Sequence, residues 1–310
     1  MEVVSTGQMR AQSISIQLSS RERCNAKCQF CISRTTPGCD TDDEMIQRCC
    51  LERLKVGLNF ARCLGATHAI LTGKADPTQE DPIYLCDVIR TAREYLPLVD
   101  MHTNGLLLQR SNSTLLESLT KAGLTMITFS IATFNDRNEQ IMGIPQRPIE
   151  LINQANQLGL LVRCSLVVNK AGVFDFEGVC EYIRKAGELG AHMVVVREVW
   201  IPDVYAECNR DVYEWNKNHV VPIGRIEDTF KEISANPKNG YGLSQRDPLP
   251  WGTPVFAVGG IFSEKRKNHG VNVTFARCDE ANRGPVIKSI VHMPDGHGFR
   301  NWDHRGDVLY

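Results

Sequence analysis

The sequence predicts an α/β fold: a partial (β/α)6 barrel of the TIM type, followed by a small C-terminal extension of β-hairpin and loop. Two patterns predict this fold. Short runs rich in β-branched residues alternate with helical stretches between residues 13 and 199, and four of the helical stretches end on a glycine. A chain of 310 residues is long enough to bury the core of such a barrel.

Six β-rich runs are predicted strands. They are SISIQLS (13–19), THAILTG (67–73), LVDMHTN (98–104), MITFSIAT (126–133), LVRCSLVV (161–168) and HMVVVREV (192–199). Gly65, Gly123, Gly159 and Gly190 each precede one of these runs, and glycine can end a helix in the left-handed conformation at little steric cost. A repeat of strand, helix, glycine and strand is typical of a parallel sheet.

The first helix is predicted from a capping box and from apolar residues at helical spacing. The box is Thr41 with Glu44, and the apolar residues are Ile46, Cys50, Leu54, Leu58 and Ala61. Several of the twelve cysteines fall in predicted helices or strands and are expected to be core residues, because free cysteine is often buried. They are Cys49, Cys50 and Cys63 in this helix, Cys86 and Cys180 in later helices, and Cys164 in a strand.

After residue 200 the alternation of strands and helices stops. Residues 200–222 show no clear period, 223–234 form a predicted helix, and 236–254 are rich in Pro, Gly and Asn and are predicted to be loop. Two strand-like runs, at 271–278 and 285–293, predict a hairpin.

These patterns divide the chain into three parts. We expect an N-terminal tail at residues 1–12, the partial barrel at 13–200, and an extension at 201–310 that covers the barrel mouth. The position of the mouth follows from the general rule that βα barrels place their chemistry at the carboxyl ends of the strands.

The charge balance argues against a protein held by nucleic-acid phosphates, since 35 Lys and Arg face 36 Asp and Glu. The N-terminus lacks the apolar run of an export signal, and no apolar run reaches the roughly 18 residues of a membrane span. A cytoplasmic protein is therefore expected. In that compartment cysteines are more often metal ligands or core residues than disulfides.

Cys24, Cys28 and Cys31 have the most distinctive spacing, in a loop just after the first predicted strand. Thiolates at short, unequal gaps in one loop suit an iron–sulfur cube, whereas zinc sites usually combine two pairs from separate segments. Three thiolates leave one iron without a protein ligand, and an open position is typical of a catalytic site. The alternative is a loop zinc completed by a distant histidine.

The C-x3-C-x2-C motif, with Phe30 before its last cysteine, resembles the signature of the radical S-adenosylmethionine (radical SAM) superfamily. The resemblance implies an oxygen-sensitive [4Fe–4S] cluster on Cys24, Cys28 and Cys31, with S-adenosylmethionine on the fourth iron and Phe30 beside the cofactor. It also implies reductive cleavage of that cofactor to a 5′-deoxyadenosyl radical, which abstracts hydrogen from a substrate. A flavodoxin or ferredoxin would supply the electron.

The segment TGKADPT (72–78), after the second strand, resembles the family's glycine-rich segment that holds the methionine amino group. This resemblance implies cofactor-binding roles for Gly73, Lys74 and Asp76. Asp76 stands where the family usually has Glu, so its carboxylate is one methylene shorter.

The third and fourth strands resemble the branch that contains the GTP 3′,8-cyclase of molybdenum-cofactor biosynthesis and the SPASM and twitch enzymes. HTNG (102–105) and the run 121–143 carry this resemblance, which implies cofactor contacts for Asn104 and Ser130. Ala132 replaces the acidic residue of the family pattern.

The fifth and sixth strands offer further cofactor-binding candidates. Ser165 and Asn169 are alternative donors to a ribose or carboxylate group. Arg197 resembles an arginine of the family pattern but is shifted in position relative to it. An ordinary solvent contact for Ser165 and a surface ion pair for Arg197 are the alternatives.

The C-terminal run 289–310 resembles the extension of peptide- and carbohydrate-modifying members, but it lacks the cysteines of auxiliary clusters. Cys208 and Cys278 are too scattered for a second cluster, and a radical role for either stays open. Five polar residues of the tail either line a substrate pocket or are solvated: His297, Arg300, Asp303, His304 and Arg305.

The sequence therefore favours a radical SAM enzyme acting on a small polar, sugar- or nucleotide-like substrate, without nucleic acid or membrane as partners. One alternative is modification of a ribosomally made peptide. A second, from another class, is an iron–sulfur electron-transfer or sensor protein that does no cofactor chemistry.

Overall fold

The structure, a computed structural model, describes residues 9–18, 24–35, 48–111, 114–144, 149–201, 209–236, 238–249, 252–259, 270–277, 286–302 and 308–310. The helices are Ile32–Thr35 (α1), Leu51–Cys63 (α2), Pro82–Tyr95 (α3), Leu106–Arg110 (α4), Thr114–Ala122 (α5), Arg137–Met142 (α6), Ile149–Gln157 (α7), Phe176–Leu189 (α8), Arg210–His219 (α9) and Ile223–Ser234 (α10). The strands are Arg10–Ala11 (β1), Ser13–Gln17 (β2), His68–Thr72 (β3), Leu98–Thr103 (β4), Met126–Ser130 (β5), Leu161–Val167 (β6), Met193–Arg197 (β7), Leu243–Arg246 (β8), Val255–Val258 (β9), Val271–Ala276 (β10), Val286–Ile287 (β11), Ile290–His292 (β12) and Gly298–Phe299 (β13).

The centre of the fold is a run of parallel strands. Strands β2 to β7 are the six predicted ones, and they lie side by side in chain order. The glycines predicted to end helices have positive φ, at +89° for Gly65, +113° for Gly123, +77° for Gly159 and +104° for Gly190. These observations confirm the predicted α/β class and its parallel sheet, which has the form of a partial barrel.

The two faces of the sheet differ in polarity because side chains alternate along each strand. One face carries fully buried apolar residues that pack against the helices, among them Ile14, Ile16, Val99, Met101, Ile127, Phe129, Val162 and Cys164. The other face lines the barrel interior and is polar in much of β2, β4, β5 and β6, with Ser13, Ser15, Gln17, Asp100, His102, Thr128, Ser130, Arg163 and Ser165. The apolar residues Ile70, Met126, Val167 and Val195 lie on the same face. The barrel therefore encloses an interior whose lining is polar in large part.

The predicted hairpin between the runs 271–278 and 285–293 is wrong. β10 pairs in parallel with β7 at one edge of the six strands, and β12 pairs in parallel with β2 at the other edge. The six parallel strands leave unpaired backbone groups at both edges, and each run satisfies one of them. Antiparallel pairs do occur in the extension, but they join β8 with β9 and β12 with β13, and β9 also pairs antiparallel with β10.

Two local predictions, the start of the first helix and the loop at 236–254, need correction. Helix α2 begins at Leu51, so Cys49 and Cys50 precede it, and Cys50 and Cys63 are exposed whereas Cys49 is buried. The predicted cap at Thr41 and Glu44 lies outside the described residues. Strand β8 lies within the segment predicted to be loop, and α9 lies within the segment that showed no period. The helix predicted at 223–234 is confirmed as α10.

Cys86, Cys164 and Cys180 lie where the sequence places them. Cys86 and Cys164 are buried, and Cys180 is partly buried in α8. Among the described residues, no helix has the length and apolar character needed to cross a membrane.

The tail runs back along the edge strands rather than toward the cysteine loop in the parts that the structure describes. Tyr310 packs edge-on against Phe60 of α2, with ring centroids 4.9 Å apart, and its hydroxyl lies 2.9 Å from His292 Nδ1. Arg300 Nη2 lies 3.3 Å from Met9 Sδ, at the amino end of the sheet. The alternative that Arg300 lines a substrate pocket stays a prediction.

Of the other polar tail residues, His297 is 58% exposed in its side chain and pairs with Asp295 at 3.1 Å. It is a solvated residue. The remaining three, at 303–305, lie outside the described residues, as do Cys208 and Cys278.

Candidate active site

The three-cysteine loop follows β2 at the carboxyl end of the sheet. Its backbone is anchored from both sides: Lys27 and Gln29 donate their N–H groups to the carbonyls of Met142 and Ile141, each at 2.9 Å. Asn25 N donates to Gln79 Oε1 at 2.8 Å. These contacts fix the loop above the barrel.

The thiols of Cys24, Cys28 and Cys31 are free and partly buried. Burial raises the pKa of Cys24, and it raises the pKa of Cys28 well above its usual value, with the neighbouring thiols Cys31 and Cys24 adding to the shift. The thiols are thus close enough to interact electrostatically. On their apolar side lie Ala26, Leu106, Ala132, Ile141, Met142 and Ile144, and Phe30 packs against the same group.

The chemistry of this donor set fits an iron–sulfur cube. Within the described ranges, no three His, Cys, Asp or Glu side chains are placed to hold a single ion. In a cube each thiolate binds a different iron, so the sulfurs need not converge on one point. Three thiols on one anchored loop, with Cys24 and Cys28 packed against apolar side chains, match that requirement.

Asp76 joins the cysteine loop to the ends of β3 and β4. It is 6% exposed, and its carboxylate accepts hydrogen bonds from Thr78 N at 3.0 Å, Thr103 Oγ1 at 2.9 Å and Asn104 N at 2.6 Å. The backbone of Asp76 lowers the pKa of Cys24, although burial outweighs this effect. Burial raises the pKa of Asp76, and the hydrogen bonds oppose that shift. The carboxylate is held internally, so its contact with a methionine ammonium stays a prediction.

Gly73, Lys74 and Asn104 also meet the cysteine loop. Ser33 Oγ donates to Gly73 O at 3.3 Å, and Lys74 Nζ donates to Ser33 O at 3.3 Å. Asn104 Nδ2 donates to Asn25 Oδ1 at 2.8 Å. The strand ends that the sequence singled out are therefore assembled around the thiols.

Ser130, Ser165 and Arg197 lie together on the inner face of the sheet. Ser130 and Ser165 are direct neighbours in the register of β5 and β6, and Arg197 Nε donates to Ser165 Oγ at 3.1 Å. Asn169 is fully buried and donates to Val167 O at 2.9 Å from Nδ2. Asn169 is thus tied into its own loop, whereas the other three face the interior. Their cofactor contacts stay predictions.

A second polar group, which the sequence reasoning missed, lies deeper in the barrel. We call it the interior cluster and define it as Asp100, His102, Thr128 and Arg163, with His68 at its edge. Asp100 is fully buried and accepts from Arg163 Nη2 and from Thr128 Oγ1 at 2.9 Å, and His102 Nε2 lies 3.1 Å from its Oδ2. Arg163 Nε donates to Thr128 Oγ1 at 2.9 Å.

The electrostatics of the interior cluster are dominated by one ion pair. Burial by itself would raise the pKa of Asp100, but Arg163 and His102 bring it below its usual range. Burial lowers the pKa of His102 and lowers that of His68 to about 4, so both rings are neutral at neutral pH. The sequence signal was the alternation of polar residues along these strands, which marks the inner face.

Comparison with known families and structures adds an independent finding. A family model described as the radical SAM superfamily matches residues 18–189, more than half of the chain. A search of curated proteins finds no match.

Similar solved structures include HydG, a maturase of the [FeFe]-hydrogenase, at 14% identity over 88% of this chain and 58% of that one, with a TM-score of 0.51. Methylornithine synthase (PylB) shares 18% identity over 61% of this chain and 54% of its own, with a TM-score of 0.45. The methyltransferase TsrM from Kitasatospora setae, with cobalamin and a [4Fe–4S] cluster bound, shares 10% identity over 87% of this chain and 50% of its own, with a TM-score of 0.42.

This chain spans between half and three fifths of the length of those proteins. The likeness to HydG supports the shared fold and, at this identity, nothing finer. The family match carries the assignment, and it covers both the cysteine motif and the strands that surround it. The chain belongs to the radical SAM superfamily and is an enzyme of that family, whose cofactors are a [4Fe–4S] cluster and S-adenosylmethionine.

Proposed function

We propose that the protein reductively cleaves S-adenosylmethionine at a [4Fe–4S] cluster and uses the resulting 5′-deoxyadenosyl radical to abstract hydrogen from a small polar, sugar- or nucleotide-like substrate. The observation that supports it best is the position of three anchored thiols directly above a polar barrel interior. A flavodoxin- or ferredoxin-type protein would donate the single electron.

In this proposal Cys24, Cys28 and Cys31 hold three irons, and Phe30 shields the site on its apolar side. When bound, the cluster supplies the electron that breaks the sulfonium bond. The chain's own residues bind and orient the cofactor and exclude water, which is the usual division of labour between protein and cofactor.

Several residues around the thiols have predicted cofactor contacts. Gly73 and Lys74 border α1, and Asn104 borders the cysteine loop. Ser130, Ser165 and Arg197 offer hydroxyl and guanidinium donors on the inner face, where the ribose and carboxylate of the cofactor would lie. Asp76 fixes Thr103 and Asn104, at the end of β4, through its buried carboxylate.

The polar interior supports a small polar substrate over a peptide. Ion-paired and hydroxyl-bearing side chains lie on the inner face of β2, β4, β5 and β6, and buried polar groups need polar partners. An electron carrier or sensor has no need of such a lining.

The extension also contributes to the proposed active site. Helix α9 contacts α1, and Lys170 N, after β6, donates to His219 O at the end of α9 at 3.0 Å. We infer that α9 covers part of the barrel mouth, as expected for the segment 201–310.

The test is anaerobic reconstitution with iron and sulfide, reduction with dithionite, and chromatographic assay of 5′-deoxyadenosine formed from S-adenosylmethionine. We expect the wild type to form it and Cys28→Ala to form none. The matched control is Cys63→Ala, because Cys63 is exposed at the end of α2 and remote from the thiol loop. A protein that binds a cluster but forms no 5′-deoxyadenosine would be a carrier or sensor, and the proposal would fail.

A further inference from the structure

The interior cluster lies below the proposed cofactor site on the same inner face of the barrel. In the register of the sheet His102 pairs with Thr128, and Thr128 pairs with Arg163. Ser130 and Ser165 follow two residues further toward the carboxyl ends, so they connect the cluster to the mouth. A substrate that enters from the mouth would meet the cluster at its deep end.

We propose that the interior cluster binds hydroxyl groups of a neutral sugar or polyol part of the substrate. This inference rests on the function proposed above, since it is the substrate that would occupy the interior. It assigns binding roles to His102 and Arg163, which carry no role in the proposed cofactor site.

The charge of the cluster favours a neutral ligand. Asp100 and Arg163 form a buried ion pair, and both histidines are neutral at neutral pH, so the charges already cancel. Arg197, the other cation whose charge reaches His102, is held at Ser165 toward the mouth. A carboxylate or phosphate placed between Asp100 and Arg163 would add a second buried negative charge beside Asp100, which is costly, and an ammonium group would face the Arg163 guanidinium. A hydroxyl group adds no charge.

The open atoms of the cluster also match hydroxyl chemistry. In hydrogen bonds with the described residues Arg163 uses Nε and Nη2, which leaves Nη1 as a donor. His102 uses Nε2, which lies 3.1 Å from Asp100 Oδ2 and 2.9 Å from Arg163 Nη2. One neighbour is an acceptor and the other a donor, so either tautomer of the ring has a partner.

His102 Nδ1 is therefore able to donate or to accept, according to the tautomer. A hydroxyl group can accept a hydrogen bond from Nδ1–H or donate one to an unprotonated Nδ1, because it carries one donor and two acceptor lone pairs. The side chains of His102 and Arg163 are 22% and 17% exposed, whereas Asp100 is fully buried. The two binding groups are thus accessible from the interior, and Asp100 acts behind them.

The experiment measures carbethoxylation of His102 by diethyl pyrocarbonate in the anaerobically reconstituted enzyme, with peptide mass spectrometry as the readout. D-ribose is the neutral probe, and sodium acetate at equal concentration is the anionic one. We expect ribose to slow modification of His102 several-fold and acetate to leave it unchanged. His297 is the internal control, because its exposed side chain reports general effects of either additive.

Two variants separate binding from folding. Arg163→Lys keeps the charge opposite Asp100 but removes the Nη1 donor, and it should lose the protection by ribose. Thr128→Ser keeps the hydroxyl that accepts from Arg163 Nε and should retain that protection. Protection by acetate in place of ribose, protection by neither probe, or an unchanged ribose effect in Arg163→Lys would each overturn the proposal.

The outcome is distinguishable from a failure of the proposed function. Formation of 5′-deoxyadenosine is measured in the same preparation without ribose or acetate. An enzyme that forms 5′-deoxyadenosine but shows no ribose protection would lose only the inference about the interior cluster.

Discussion

Asp76 and Asp100 are two buried carboxylates of one barrel whose surroundings shift their pKa values in opposite directions. Asp76, at the mouth, is 6% exposed and bonded to hydroxyl and backbone N–H groups, and burial raises its pKa. Asp100, in the interior, is fully buried, yet the Arg163 guanidinium and His102 bring its pKa below the usual range despite that burial. Neutral donors offset part of the cost of burying a carboxylate, whereas a cation more than offsets it.

The opposite pKa shifts of Asp76 and Asp100 fit their positions at the mouth and in the interior of the barrel. At the mouth the proposed cofactors bring charges of their own, and Asp76 orders the loops around them through neutral contacts. In the interior the charges are already paired within the protein, so the cluster keeps its shape without a ligand. On the two proposals above, the mouth receives the charges of the cofactors, whereas the charges of Asp100 and Arg163 are paired before any ligand binds.

The largest predicted effect comes from breaking the interior ion pair. Arg163→Met leaves Asp100 buried without its cation and is expected to destabilise the fold by about 3–5 kcal/mol. Urea unfolding of the apo-protein, followed by circular dichroism, measures the change. The matched control is Arg184→Met, whose ion pairs with Glu181 and Glu188 lie on the surface and are expected to contribute about 0–1 kcal/mol. If the two variants lowered the free energy of unfolding equally, the buried ion pair would contribute no more to stability than the surface ion pairs.

The second prediction concerns the mouth. Asp76→Asn replaces an acceptor of Asn104 N and Thr103 Oγ1 by an amide with one acceptor oxygen, so the loop that carries Cys24 should loosen. We expect iron affinity to fall by about 10–100-fold, the range typical when a partner of a metal ligand is lost. Iron content after reconstitution against a competing chelator measures it.

The control for this second prediction is Asp100→Asn, compared at equal folded fraction. It alters a buried carboxylate of the same barrel but touches no residue of the cysteine loop. Its iron affinity should stay near that of the wild type. If both variants lost iron to the same degree, the effect of Asp76→Asn would not be specific to the mouth, and the prediction would be wrong.

Sequence alone was sufficient for the parts of the molecule that depend on local pattern. The six strands, the helix-ending glycines and the thiol loop all follow from spacing within a few residues. The positions of β10 and β12 at the sheet edges could not be predicted in this way, because either strand could have paired with either open edge of the parallel sheet. The contact of Ser15 with Ser289 joins residues more than 270 positions apart.

The candidate site shows the same division. The thiols and the strand-end residues were found from their motifs, but the internal bonding of Asp76 depends on Thr103 and Asn104, which lie 27 and 28 residues away. The interior cluster was not predicted as a group. His102 and Thr128 lie within HTNG (102–105) and the run 121–143, which carried the resemblance, but the resemblance assigned roles only to Asn104 and Ser130 there. Alternation within LVDMHT, MITFS and LVRCSLV was the available signal.

A third, smaller effect is a pH dependence carried by the edge of the interior cluster. The pKa of His68 falls from its ordinary value of 6.5 to about 4 in the fold, because burial disfavours the charged ring. Its neutral form is thus favoured by folding, so stability is fully present above about pH 6.5 and is lost as pH falls toward about 4. His68→Gln should reduce the slope of unfolding free energy against pH in that window by up to about 1.4 kcal/mol per pH unit.

The measurement is a series of urea unfolding curves of the apo-protein across that pH range. His297→Gln is the control, since its side chain is exposed and lies outside the barrel. An unchanged slope in His68→Gln would mean that its ring is not held neutral by burial.

The smallest effect is expected where a carboxylate makes the same kind of backbone contact without burial. Asp175 is exposed and caps α8 by accepting Gly178 N at 2.8 Å, much as Asp76 accepts Thr78 N at 3.0 Å. Asn and Asp are nearly equivalent as helix caps, so Asp175→Asn should change the unfolding free energy by no more than about 0.5 kcal/mol. The same Asp to Asn change at position 76 removes an acceptor from buried donors and should cost about 1–3 kcal/mol. If the two changes proved equal in urea unfolding, burial would not be what distinguishes the mouth carboxylate, and the contrast with Asp100 would reduce to the presence of Arg163 alone.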